Sequence, residues 1–269
     1  MGLTLESERD FAGRQILGDR GNQEDAYSFA WLSGSGEQEF SSLIGVVADG
    51  MGGHAFGEIA SEAAIEGFIN YVNRHLDASA KHIPPQVLLG GVYASNAAVS
   101  HDLGKDAYGG TTLVGFTVHR GILNWISVGD SILGIHRNGQ FRRLNEDHSL
   151  QAIFDEQVAR GELAPEVAVN HPDRNVLQSA ISGNRIELID CPEKGIDLYP
   201  GDLIIAASDG IDCLLRKEAF AESLNHWSHL PSSEIAGNVI AMAQELNRGP
   251  QDNTTVMIVK VRRPYSIEV

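Results

Sequence analysis

Two apolar runs in this chain of 269 residues stop at the same dipeptide. "LIGVVADGMGG" carries Asp49-Gly50 and "LIIAASDGIDCLL" carries Asp209-Gly210. Asp-Gly taken singly is a common turn pair, and a turn is its simpler explanation. A two-residue hairpin turn, however, requires a strand to resume at once, and both pairs are followed by helical patterns instead. These are therefore strand ends that pass into helices with a carboxylate at the junction. Other acids flank strands in the same way: Asp130 in "NWISVGDSILGI", Asp252 ahead of "NTTVMIVKV", and Asp25, preceded by Glu24, in "GNQEDAYSFAWL".

In antiparallel neighbours the end of one strand lies beside the start of the next. Asp49, Asp209 and Asp252 are thus expected to meet at one sheet edge, with Asp25 and Asp130 as outer members. Carboxylates gathered this closely repel one another strongly unless cations sit between them. An oxygen-only donor set without His or Cys favours Mg²⁺ or Mn²⁺ over Zn²⁺, and unshielded glycine carbonyls can add coordination.

Short strand-like runs are expected at 14–18, 26–32, 42–48, 111–118, 122–128, 132–137, 140–144, 185–190, 203–207 and 254–261. "HRNGQF" carries the strongest short hairpin signal at Asn138-Gly139, and His119 to Gly121 reads as a second turn. Helical periodicity predicts an antiparallel pair over 58–76 and 85–101, a short helix over 217–224 and a longer one over 232–246. Residues 149–160, ended by Gly161, and a turn after Pro165 form a helical insertion. Hairpins with segregated helix pairs mean α+β rather than a doubly wound sheet. No linker or repeat divides the chain, so one domain over 1–269 is expected.

At 42% hydrophobic residues the chain can bury a large core, in which Trp31, Trp125 and Trp227 read as core aromatics. The formal charge of −16 argues against binding nucleic acid or an anionic membrane through a basic surface. An anionic substrate must then be met by local positive charge. Cys191 and Cys213 share no metal-ligand spacing and read as reduced thiols, which suits the cytoplasm. "MGLTLESERDFAGRQ" has no apolar signal core, "MGLTLE" lacks the Ser or Thr of a myristoylation site, and no run approaches the roughly 20 apolar residues of a membrane helix. Gly50, Gly52 and Ala55 satisfy a dinucleotide-binding pattern, but Asp49 would press its charge on a pyrophosphate and no acid ends a second strand about 20 residues on. The P-loop fails because no Gly-Lys-Ser/Thr follows.

The motifs "GDRGNQEDAY", "VVADGMGGHAFGE", "YGGTTLVGFTV", "SVGDSILGI", "NEDHSLQAIFDEQVARGEL", "HPDRNVLQSAISG", "AASDGI" and "QDNTTVMIV" together cover nearly the whole chain. In this order they resemble the metal-dependent protein phosphatase (PPM) family, the type 2C serine/threonine phosphatases, in its bacterial branch. The resemblance implies two stacked antiparallel β-sheets flanked by antiparallel helix pairs, a four-layer α-β-β-α sandwich, with a helical flap over about 145–183. It implies a site for two Mn²⁺ or Mg²⁺ ions, and a third, weaker one. Asp49 resembles the carboxylate bridging both core metals, with the Gly50 carbonyl on one of them. Asp209 and Asp252 resemble ligands of the other, Asp25 and Glu24 match positions holding metal-bound waters, and Asp130 matches the third site. Arg20 resembles the arginine that grips the substrate phosphate, a task its planar fork suits.

The implied reaction is hydrolysis of phosphoserine and phosphothreonine in proteins by a hydroxide bridging two metals, attacking in line without a phosphoenzyme. Eukaryotic relatives place a histidine directly after the Asp-Gly, where this chain has Met51. His54 is the nearest titratable group to protonate the leaving oxygen; capping the next helix is its competing role, and a metal-bound water is the alternative acid. Gln23 stands where the family usually has Asn. The expected partners are phosphoproteins of a serine/threonine kinase, met by a monomer. A catalytically silent phosphoprotein-binding module of the same fold is the alternative, disfavoured because such a module has no chemical need for a costly cluster of like charge.

Overall fold

The two hairpin signals set how the strands pair. In the computed structural model, which describes residues 9–34, 40–52, 56–104, 108–215, 217–247 and 249–262, Asn138 and Gly139 have φ of 54° and 78°. Both central residues are left-handed, as a type I′ turn requires, and they join β7 (Ile132–Arg137) to β8 (Gln140–Arg143). Arg120 and Gly121, with φ of 49° and 77°, do the same between β5 (Leu113–His119) and β6 (Ile122–Val128).

The remaining strands, numbered in chain order, are β1 (Phe11–Ile16), β2 (Asp25–Gly34), β3 (Phe40–Met51), β4 (Gly110–Thr111), β9 (Ile196–Asp197), β10 (Leu203–Ala207) and β11 (Thr254–Lys260). One sheet runs β1-β11-β10-β7-β8 and the other β2-β3-β5-β6-β9, with β4 paired to β3. Every pairing is antiparallel.

Both faces of each sheet are covered, which explains why β5 and β11 are buried along their whole length. Leu43, Val47, Phe116, Leu133, Ile204 and Met257 meet between the sheets. On the outer face of the β3–β5 sheet, Ile44, Val46 and Ile126 pack against α1 (Phe56–His75) and α2 (Pro85–Leu103) through Phe68, Val72, Leu88 and Val92. On the outer face of the other sheet, Leu203, Ile205, Val256 and Ile258 pack against Phe220, Ile235 and Val239. Phe220 comes from α6 (Glu218–Trp227), the other two from α7 (Ser232–Leu246). The result is the expected sequence of layers, helix pair, sheet, sheet, helix pair. Between β8 and β9 lie α3 (Leu150–Ala159) and α4 (Pro165–Val169), and a single turn, α5 (Asp212–Leu215), follows Asp209.

Three expectations change. The run 185–190 is no strand: only Asp190 pairs, exchanging two hydrogen bonds with Ser127 (2.8 and 3.0 Å), and Arg185 and Glu187 project into solvent. The strand beside β6 is instead β9, which periodicity could not reveal in two residues. The expected strand 111–118 breaks at Thr112, whose N–H turns to the Asp49 carbonyl (2.9 Å). Trp31 is 37% exposed on the outermost strand β2 and lies flat against Phe11 rather than in the core. Among the described residues no helix is long and apolar enough to cross a membrane.

Candidate active site

The antiparallel register brings the acids together from far-apart segments. Asp25 at the start of β2 stands directly opposite Asp49 near the end of β3. Ala207, last in β10, is the partner of Val256 in β11, so Asp209 and Asp252 leave that sheet at the same end. Asp130, in the turn between β6 and β7, completes the edge. One cleft of about 540 Å³ is lined by Arg20, Glu24, Asp49, Gly50, Asp130, Asp209 and Asp252. Of the residues expected at the site, only His54 lies outside the described residues, and Asp25 sits just behind the cleft wall.

Backbone hydrogen bonds hold the floor rigid. The Asp49 carbonyl accepts from the Thr112 N–H and the Thr111 hydroxyl (both 2.9 Å), while the Asp49 N–H donates to the Thr112 hydroxyl (3.0 Å). That hydroxyl also bonds Ser131 (2.6 Å), tying the Asp49 and Asp130 turns together. Gly50 donates to the Glu24 carbonyl (3.0 Å). A Cβ at Gly50 would stand 2.1 Å from the Gly57 carbonyl oxygen and 2.6 Å from that of Glu24. Only glycine lets α1 and the Glu24 segment approach this closely.

Asn253 clamps the other wall. Its side-chain oxygen accepts from the Glu24 N–H (2.7 Å), and its amide donates to the carbonyls of Leu17 (2.8 Å) and Asn22 (3.1 Å). The loop so held carries Arg20, whose guanidinium donates to Asp252 at 2.5 Å with its side chain 58% exposed at the cleft mouth. It is the one cation lining the cleft among the described residues.

Burial and mutual charge push the carboxyl groups up together. Asp25 and Asp209 rise to about 6, and Asp49 and Asp130 stand well above the ordinary carboxylate range. Burial is the largest cause in each; neighbouring carboxylates come next at Asp49, Asp130 and Asp209, whereas at Asp25 the lowering effects of Ser208 and Thr255 come next, ahead of Asp209 and Asp252. One Asp25 oxygen accepts from Ser208 (2.7 Å) and the other is buried without a hydrogen-bond partner.

Among the described residues no three His, Cys, Asp or Glu side chains already stand as a closed metal cage. The acids line the cleft wall instead, as mutual repulsion favours. The donors still fit hard divalent cations: they are all oxygens, they carry excess negative charge, and Asp25 has an acceptor left over. Two acids that the reading of the residues passed over join the group. Asp212 is raised to about 7 by burial and then by Asp209, and Asp147 adds its charge to Asp130. The signals were present in "SDGID" and "NEDHS", but neither residue sits at a strand end. From the flap, Asn175 and Leu177 also line the cleft.

Comparison with known proteins points the same way. A family model described as protein phosphatase 2C matches residues 13–248. The chain is 30% identical over 221 residues to protein phosphatase PhpP of Streptococcus pneumoniae serotype 2, spanning 80% of this chain and 85% of that protein. The crystal structure of the Mycobacterium tuberculosis serine/threonine phosphatase PstP/Ppp superposes with a TM-score of 0.71 at 25% identity, over 94% of this chain and 98% of that one. A crystal structure of the PstP catalytic domain in complex with two manganese ions gives 0.70 at 26% identity, with the same coverage of both.

Proposed function

The chain belongs to the protein phosphatase 2C family, and from that membership we propose that it is a metal-dependent protein-serine/threonine phosphatase built as one domain. The observation that carries this reading is the set of carboxylates from five separate segments around one cleft, with Arg20 at its mouth. Asp49, the Gly50 carbonyl, Asp209 and Asp252 would hold two Mn²⁺ or Mg²⁺ ions, Asp25 and Glu24 would orient their waters, and Asp130 would serve a third, weaker ion. When bound, these ions supply Lewis acidity, which makes water acidic enough to attack phosphorus near neutral pH.

The chain's own residues do the rest. Arg20 presents a planar fork to two phosphate oxygens and offsets the charge that grows on them during in-line displacement. Its present partner Asp252 keeps that fork turned toward the cleft. Asn253 fixes the Arg20 loop against β2, so the fork costs little reorganisation when phosphate arrives. The open cleft admits an extended phosphorylated segment of protein, with Asn175 and Leu177 of the flap alongside it. His54 is our candidate for protonating the departing serine or threonine oxygen. The excess of acidic residues and the two free thiols support a cytoplasmic monomer that binds neither nucleic acid nor membrane.

The test is hydrolysis of an aryl phosphate and of phosphoserine and phosphothreonine peptides, with Mn²⁺, with Mg²⁺ and with EDTA. Turnover is expected only with metal, and Asp209→Asn is expected to lower it at least about 10²-fold. Full turnover in EDTA rejects the mechanism. Tight phosphopeptide binding without metal-stimulated turnover would instead favour a silent binding module.

A further inference from the structure

The sandwich leaves one sheet edge open beside the acidic cleft. β2 ends the order β2-β3-β5-β6-β9, so one side of it has no neighbouring strand among the described residues. Asp49 turns its N–H and its C=O toward Thr112, away from β2 (3.0 and 2.9 Å). By antiparallel alternation the main chain of its partner Asp25 faces outward from the pair, and so do the main-chain groups of Tyr27, Phe29 and Trp31. Among the described residues none of these last three closes a main-chain hydrogen bond on that side.

A groove of about 690 Å³ runs beside this edge, between β2 and α1. Ala26, Tyr27 and Ser28 line it on the strand side, and Ile65 and Ile69 of the helix give it apolar surface. Alongside stand Glu58, Glu62 and Glu66, all exposed and four residues apart on one face of α1. Among the described residues no Lys, Arg or His lines the groove to offset them. Successive carboxylates advance about 6 Å along the helix, and every second side chain of a strand advances about 6.8 Å. The two repeats nearly match.

We propose that this groove docks an extended segment of the phosphoprotein substrate that carries Lys or Arg at every second position. The segment adds to β2 as a further strand: its main chain meets the open N–H and C=O groups of Tyr27 and Phe29, and its cations meet Glu58, Glu62 and Glu66. Glu24 lines the acidic cleft and Asp25, the next residue, lines the groove, so one substrate chain reaches both. A second copy of this chain is disfavoured as occupant, because two such edges would bring their glutamates together in molecules already at −16. A metal ion is disfavoured too, since carboxylates about 6 Å apart along one helix face do not converge on it. The inference rests on the phosphatase reading for the identity of the docked segment.

Fluorescence anisotropy on Mg²⁺-loaded protein tests docking apart from catalysis, with a labelled, unphosphorylated peptide of pattern Lys-x-Lys-x-Lys. Saturable binding is expected. It should weaken at least about fivefold when the same lysines are made contiguous, and again in the double variant Glu62→Lys with Glu66→Lys, the scale of two exposed ion pairs. If that variant does not fold, Glu62→Gln with Glu66→Gln takes its place. N-methylation of every second peptide amide is expected to abolish binding in only one of the two alternating sets, as strand addition requires. A phosphothreonine beside the pattern is expected to gain in kcat/KM over a neutral phosphopeptide, and the double variant to lose that gain while hydrolysing aryl phosphate as before. Equal affinity for alternating and contiguous peptides, an equal effect of both N-methylated sets, or unchanged affinity in a folded variant overturns the proposal. Absent aryl phosphate turnover with glutamate-dependent docking intact overturns the phosphatase reading and leaves the docking groove established.

Discussion

Gly50 and Asn253 show how little of the site's precision comes from the acids themselves. Adding a methyl group at Gly50 must displace either the Gly57 carbonyl or the Glu24 carbonyl, both backbone atoms within 2.6 Å of the new carbon. Gly50→Ala is therefore expected to shift α1 against the Asp49 strand, lowering the melting temperature by several degrees and weakening Mn²⁺ affinity by calorimetry. Wild-type behaviour on both counts would show that the close approach is incidental. Asn253→Ala removes three hydrogen bonds and leaves one N–H and two carbonyls to find water. At about 1 kcal/mol each, the expected loss is about 2–4 kcal/mol in urea unfolding. A KM for aryl phosphate that rises more than kcat falls would place the effect on the Arg20 loop.

At the level of elements, the helix pair α1–α2 works as a buttress for the strand that carries Asp49. The Phe68 ring is fully buried and lies 2.2 Å from where a Cβ on Gly115 would stand, so helix and sheet interlock through one large side chain and one missing one. Phe68→Ala is expected to cost about 3–5 kcal/mol in chemical denaturation, since so enclosed a site cannot collapse to fill the cavity. A loss below 1 kcal/mol would mean that the layers slide freely. The neighbouring insertion behaves differently: α3 has no buried residue along its length. Its sequence could vary at little cost to the core, which suits a segment placed to meet substrates.

For the whole molecule, the dominant physical fact is a pole of concentrated negative charge inside an already acidic protein. Without metal, Asp25 and Asp209 titrate near 6 and Asp212 near 7, above the value of about 3.9 in an unfolded chain. A carboxyl group raised on folding binds its proton more tightly in the native state, so stability falls as pH climbs from about 4 to 7 and stays low above that. The melting temperature of EDTA-treated protein is accordingly expected to decline from about pH 5 to pH 8, and added Mn²⁺ to stabilise most at pH 8. A flat EDTA profile, or larger metal stabilisation at pH 5, contradicts this account. The chain alone determined the hairpins at Asn138 and Arg120, the helix pairs, and the strand-end positions of Asp49, Asp209 and Asp252, because turn chemistry, periodicity and alternation are local. It also revealed the family, through eight motifs in order. Only the tertiary structure decided that Asp147 and Asp212 belong to the acidic cluster, that β9 rather than 185–190 completes its sheet, and that Trp31 lies partly exposed on an edge strand. Those outcomes depend on which segment lies beside which in the folded chain, and no window of neighbouring residues encodes that pairing.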